Sequence, residues 1–178
     1  LNCRGLVLHG ERVVARPLAK FFNYEEHSLV TGEHFSTIDA VQCFDKLDGS
    51  LGIIYPTGDG TWAVATRGSF TSPQALHATE VLQERYLSDT DLLNQLRNSG
   101  AYGEHEITYL VEIVFPENRI VCDYEGMDDL VLLGGISITS GRFVSPEMLP
   151  WSGPRAQQLP YATLMEALHA PDRWGAEG

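Results

Sequence analysis

Short apolar runs separated by turn residues fill the first third of the chain. Gly5-Leu6-Val7-Leu8 and Arg12-Val13-Val14-Ala15 flank His9-Gly10-Glu11, the pattern of a hairpin. Val41-Gln42-Cys43-Phe44 and Leu51-Gly52-Ile53-Ile54-Tyr55 predict strands on either side of Asp48-Gly49. Trp62-Ala63-Val64-Ala65-Thr66 predicts another after the turn-rich stretch 56–60. Ser72-Pro73 opens the clearest helix, over about 73–87, with Leu76, Val81 and Tyr86 among its apolar positions. A second helix is predicted over 89–97, with Asp89 as N-cap and Gly100 beyond its end. Strands return at Tyr109 to Phe115, Arg119 to Cys122 and Leu130 to Ile138. Ser145 to Pro160 carries four prolines and reads as a loop over the surface. A short helix at about 161–169, with Leu164, Met165 and Leu168 apolar, closes the pattern. Strands joined mostly by hairpins, with helices grouped between them, predict an α+β fold with mainly antiparallel sheets and flanking helices.

With 178 residues, 43% of them apolar and 10% aromatic, the chain can bury a core, which excludes disorder as a description of the whole. No apolar run reaches the ~18 residues that span a bilayer, and no basic, apolar leader is present. Leu1 at the start and Glu177-Gly178 at the end predict that residues 1–178 are one partial domain, truncated at both ends. Cys3, Cys43 and Cys122 lack both zinc spacing and the even count of a disulfide framework. A reducing, cytoplasmic setting is expected.

Charge narrows the chemistry. Twelve basic against twenty-four acidic residues give −12, the wrong sign for a protein that tracks phosphates along duplex DNA. A nucleic-acid role would need a local basic pocket. Ten of the twelve cations are Arg; only Lys20 and Lys46 carry amines. An amine can shed its proton and act as a nucleophile, whereas a guanidinium does so only with difficulty.

Lys46 sits in Asp45-Lys46-Leu47-Asp48-Gly49-Ser50. One reading of these residues is a hairpin turn at Asp48-Gly49 with a solvated lysine at a strand end. The other is a lysine nucleophile, with Asp48 on the same face of an extended segment and Gly49 admitting close approach of a ligand. Arg4-Gly5-Leu6-Val7-Leu8 and Ala15-Arg16-Pro17-Leu18-Ala19-Lys20-Phe21-Phe22-Asn23 precede this element, and Thr66-Arg67-Gly68-Ser69-Phe70 follows it. Then comes Leu110-Val111-Glu112-Ile113-Val114-Phe115-Pro116-Glu117-Asn118-Arg119-Ile120-Val121-Cys122-Asp123-Tyr124. In this order and spacing the segments resemble the adenylation domain of the bacteriophage-type tRNA-repair RNA ligases, within the covalent nucleotidyltransferase superfamily. The matches span residues 4 to 124 and extend more loosely to the end.

The resemblance implies an ATP-dependent RNA ligase of nucleotidyltransferase fold that works through a lysyl-AMP intermediate and an adenylated RNA 5′-phosphate. It makes Lys46 the lysine that carries AMP. Arg4, Lys20, Asp48, Gly49, Arg67 and Glu112 become residues of the ATP site, and Asp48, Glu112 and Glu177 hold Mg²⁺, largely through water. The implied partner is RNA with 5′-phosphate and 3′-hydroxyl ends, such as a cleaved tRNA; neither a membrane nor duplex DNA is expected. Structural alternatives stand beside these roles. Arg16 could pair with a surface acid, Phe21-Phe22 could pack in the core, and Arg119 could hold a turn through Asp123. Glu112, flanked by apolar residues, could be half of a buried ion pair. Two other functions share the motifs: a DNA ligase or capping enzyme, and a nucleotide-binding scaffold without catalysis.

Overall fold

The strand that reads Ile-Thr-Tyr-Leu-Val-Glu-Ile-Val, Ile107–Val114, has every residue buried, and the rest of the fold is arranged around it. In the computed structural model, which describes residues 4–23, 26, 41–97, 107–118 and 121–171, the strands are β1 (Val7–His9), β2 (Arg12–Ala15), β3 (Cys43–Phe44), β4 (Ser50–Pro56), β5 (Trp62–Ala65), β6 (Ile107–Val114), β7 (Asp129–Ser137), β8 (Phe143–Val144) and β9 (Gln158–Leu159). The helices are α1 (Pro73–Val81), α2 (Thr90–Arg97) and α3 (Leu164–Leu168). Strands β5-β4-β6-β7-β8 form one sheet in that order, and β1-β2 and β3-β9 form two small ones. Every strand pairing is antiparallel. The fold is α+β, as the strand pattern predicts.

Alternation along β6 explains its burial on both faces. Tyr109, Val111 and Ile113 pack with Ala78, Val81 and Leu82 of the helical layer. Leu110 packs on the opposite face with Val7 and Ala15 of the β1–β2 hairpin and with Ile53 of β4. Thr108 and Glu112 share the hairpin face by the same alternation. Thr108 is satisfied there: its hydroxyl accepts from the Arg16 amide at 2.8 Å.

α1 begins where the sequence predicts. The Ser72 hydroxyl accepts from the Ala75 amide and Pro73 occupies the first turn. The helix continues as one wide turn, Leu82–Tyr86, which keeps Leu82 and Tyr86 buried. α2 is capped by the Asp89 carboxylate, which accepts from the amides of Asp91 and Leu92. α3 carries a capping box between Thr163 and Glu166.

Two expectations are corrected. The proline-rich stretch 145–160 is no surface loop: Leu149, Trp151 and Ala156 are buried. Trp151 stacks on Tyr86 at 4.1 Å between ring centroids, and Arg155 bridges to Leu132 of β7. Prolines fix φ without making a segment polar, and this one delivers an indole to the core. Arg119 to Cys122 was expected to be a strand; residues 119–120 lie outside the described residues, and Val121 and Cys122 are in no strand.

Tyr86 links the helical layer to β7, since its hydroxyl donates to the Asp129 carboxylate. Burial first, and Asp129 second, push its ionisation above the ordinary tyrosine value of 10. The unfolded chain therefore releases this proton first as pH rises, and stability present below pH ~10 is lost above it. Melting temperatures compared at about pH 8 and about pH 10.5 should fall for the parent, and Tyr86→Phe should flatten that fall.

Candidate active site

Register places the motif segments at one end of the large sheet. Ser50 at the start of β4 pairs with Ile113 near the end of β6, and Ile53 pairs with Ala65 at the end of β5. Residues 45–49, which enter β4, therefore meet residues 66–69, which leave β5, and residues 115–118 and 121–124, which follow β6. Asp48-Gly49 is not a hairpin turn. β3 pairs with β9, Cys43 opposite Leu159, while β4 joins the large sheet. The Asp45 amide donates to the Gln157 carbonyl at 3.0 Å. The lysine segment thus crosses between two sheets and is anchored at both ends.

Asp48 is 5% exposed. One of its carboxylate oxygens accepts from two consecutive main-chain amides, Val121 and Cys122, the latter at 2.7 Å. Its own amide donates to the Tyr124 hydroxyl at 2.7 Å, and burial raises that tyrosine's ionisation. Asn118 adds a second tie: its amide donates to the Ile113 carbonyl at 3.0 Å and its oxygen accepts from the Ser50 hydroxyl at 3.2 Å. Neither Asn118 nor Tyr124 stands out in the sequence as more than part of a motif string. The available signal was the short turn Pro116–Asn118, whose final Asn is placed to bond back to main chain.

Gly49 is required by contact. A Cβ there would stand 2.5 Å from the Ile113 carbonyl oxygen and 3.3 Å from a Glu112 carboxylate oxygen. Glu112, 9% exposed, therefore lies directly against the lysine segment. Lys46 itself is exposed.

Gly5 gathers the basic residues. Its φ is +81°, and a Cβ would stand 2.5 Å from Ile53 Cδ1, 3.5 Å from Arg67 Cα and 3.6 Å from Pro17. Arg4 and the turn bearing Arg67 are thereby neighbours, and the 17–20 segment leads away from the same point to Lys20. Arg4 and Arg67 are exposed and have no hydrogen-bond or ion-pair partner among the described residues. The Lys20 ammonium lies 4.4 Å over the Phe22 ring. Phe21 is 75% exposed, which corrects the expectation that both phenylalanines pack in the core. Arg16 does not pair with an acid among the described residues: its guanidinium donates to the carbonyl of Ile138 at 3.1 Å and reaches that of Thr139 at 3.5 Å. Arg119 and Glu177 lie outside the described residues.

A polar cleft of about 420 Å³ opens beside the lysine segment, lined by Gly49, Ser50, Thr66, Arg67, Ser72 and Gln74. Across Asp48 lies a smaller cavity of about 130 Å³, bordered by Asn118, Cys122 and Tyr124. No three His, Cys, Asp or Glu side chains among the described residues converge as a metal cage. One Asp48 oxygen is committed to two amides.

If the Asp48 carboxylate is a structural tie, Asp48→Ala leaves two amides without their acceptor. Stability should drop by about 2–4 kcal/mol, read as a lowered urea midpoint. A midpoint equal to the parent's would remove the tie.

Comparison with known families bears on the site as a whole. A family profile described as RNA ligase matches residues 2–150. The match takes in the lysine segment, the Arg67 turn, β6 and the Asn118–Tyr124 clasp. With most of the chain covered, this protein belongs to the phage-type RNA ligase family.

Proposed function

We propose that the chain is the nucleotidyltransferase domain of an ATP-dependent RNA ligase and that Lys46 carries AMP. One observation supports this most: an exposed amine stands on a segment tied at both ends, beside a buried carboxylate and a polar cleft lined by a guanidinium that is unpaired among the described residues. A nucleophile held in place by its surroundings loses little freedom on reaction.

In the proposed cycle the uncharged Lys46 Nζ attacks the α-phosphorus of ATP. A phosphorus–nitrogen bond forms, the bond to the β-phosphate bridging oxygen breaks, and pyrophosphate leaves. An oxygen of an RNA 5′-phosphate then takes the AMP from Lys46. A 3′-hydroxyl attacks that 5′-phosphorus, AMP leaves, and the strand is sealed; the ends of a cleaved tRNA fit this chemistry. Arg67 and Arg4, both unpaired among the described residues, together with Lys20, would bind the triphosphate and orient the departing pyrophosphate. Glu112 would hold Mg²⁺ with phosphate oxygens and water, with Asp48 and Glu177 acting through water. The ion's contribution when bound is to offset negative charge on the phosphates. A basic patch within an acidic protein suits a triphosphate and one RNA end, and the overall −12 disfavours sliding along duplexes.

Two measurements test this. Incubated with Mg²⁺ and α-labelled ATP, the protein should take up one label that acid removes, as expected of a phosphorus–nitrogen bond. Lys46→Arg, which keeps the charge but not the nucleophile, should take up none; a mutant labelled like the parent refutes the reading. Glu112→Gln separates the metal role from an ion pair. A melting temperature near the parent's with labelling reduced at least about tenfold supports the metal role. A loss of about 3–5 kcal/mol in stability with labelling retained in the cold supports the ion pair instead.

A further inference from the structure

Beside the ATP-side cleft, a second hollow opens on the other flank of the Arg67 turn. It is about 220 Å³ and is lined by Gly5, Leu6, Ala65, Arg67, Ser69 and Phe70. Phe70 at its rim is 52% exposed, its ring resting at 5.1 Å and 60° against Tyr55.

Phe70 is displayed by a braced turn. The Thr66 amide donates to the Ser69 carbonyl at 2.9 Å and the Thr66 hydroxyl to the same carbonyl at 3.2 Å. The Thr71 amide donates to the Ser69 hydroxyl at 3.1 Å, and Ser72 then caps α1. The backbone on either side of Phe70 is therefore fixed, while the ring rests on Tyr55 and is half exposed. Its charged neighbours are Arg67 in the same turn and Arg4 beside Gly5, both unpaired among the described residues. In a chain of net charge −12, a half-exposed aromatic ring in a hollow that Arg67 also lines, with Arg4 next to Gly5 at its edge, has the chemistry to stack a base and meet its phosphates.

We propose that this hollow receives a nucleotide of single-stranded RNA close to the reacting end, with a base stacked on Phe70 and its phosphates met by Arg4 and Arg67. The proposal rests on the reading of the chain as an RNA-joining enzyme and names where its acceptor lies. ATP and the RNA end would then approach the Arg67 turn from opposite flanks. One guanidinium could serve both the triphosphate and the later RNA phosphate.

The test is direct binding without ATP. The probe is a short fluorescent single-stranded RNA with a 5′-phosphate, followed by anisotropy. Phe70→Ala should raise Kd about tenfold or more. Phe70→Trp should restore parent-like binding, and Phe70→Leu, which keeps apolar cover but no π face, should not. Phe70→Trp and Phe70→Leu should melt near the parent temperature, because both keep apolar cover on Tyr55. A Phe70→Ala Kd within about twofold of the parent overturns the proposal. So does a binding loss matched by a fall in melting temperature, or a loss of labelled-ATP binding with RNA binding kept, which would give the hollow to the nucleotide. Because no lysyl-AMP is needed here, failure of Lys46 to label would sink the mechanism above and leave this result standing.

Discussion

One carboxylate bond pattern holds the lysine-bearing end of this protein together. Asp48 accepts from the consecutive amides of Val121 and Cys122. That joins the segment entering β4 to the chain leaving β6, more than seventy positions later. Two amide donors on a buried carboxylate form a strong charge-assisted pair, and the alternative, buried amides without an acceptor, is costly. Asn118 repeats the device one step along, tying Ser50 to Ile113. The end of a sheet is ordinarily where strands fray. Here the fraying end is stitched, and Lys46 stands on the stitched segment.

The same region separates groups that hold the structure from groups that do not. Asp48, Asn118, Tyr124 and Arg16 spend hydrogen-bonding capacity on main chain or on one another. Among the described residues, Arg4 and Arg67 do not. In an acidic protein, such guanidinium groups are where the proposed phosphates would be met. The glycines mark close approach: Gly5 brings Arg67 and Pro17 together and Gly49 admits Glu112, each where a Cβ would collide. Membership of the RNA ligase family agrees with the chemistry these open groups can support.

Much of this was legible in the chain. The strands β1, β2, β4, β5, β6 and β7 follow from short apolar runs bounded by turn residues. α1 and α2 follow from Ser72-Pro73 and Asp89 as caps, because capping is decided within a few residues. The antiparallel character followed from short connections. The lysine, the buried acid in β6 and the basic residues around them could be named from motif order, since residue type alone says which side chain can be a nucleophile, an acid or a cation.

The tertiary structure decided what depends on contacts distant in sequence. Asp48-Gly49 has the local chemistry of a hairpin turn, yet β3 pairs with β9 and β4 with β5 and β6, and no local preference specifies a partner a hundred residues away. The proline-rich stretch 145–160 has the composition of a surface loop, yet Tyr86 offered Trp151 a flat apolar partner. Phe21 and Phe22 are adjacent and identical in type, yet one is exposed and the other sits under Lys20, because exposure is set by what packs above a residue. By itself the sequence determined which chemical groups the protein owns and where its strands and helices begin. Only the folded chain decided which groups are consumed as ties and which remain open, because hydrogen-bond capacity and burial are properties of neighbours in space.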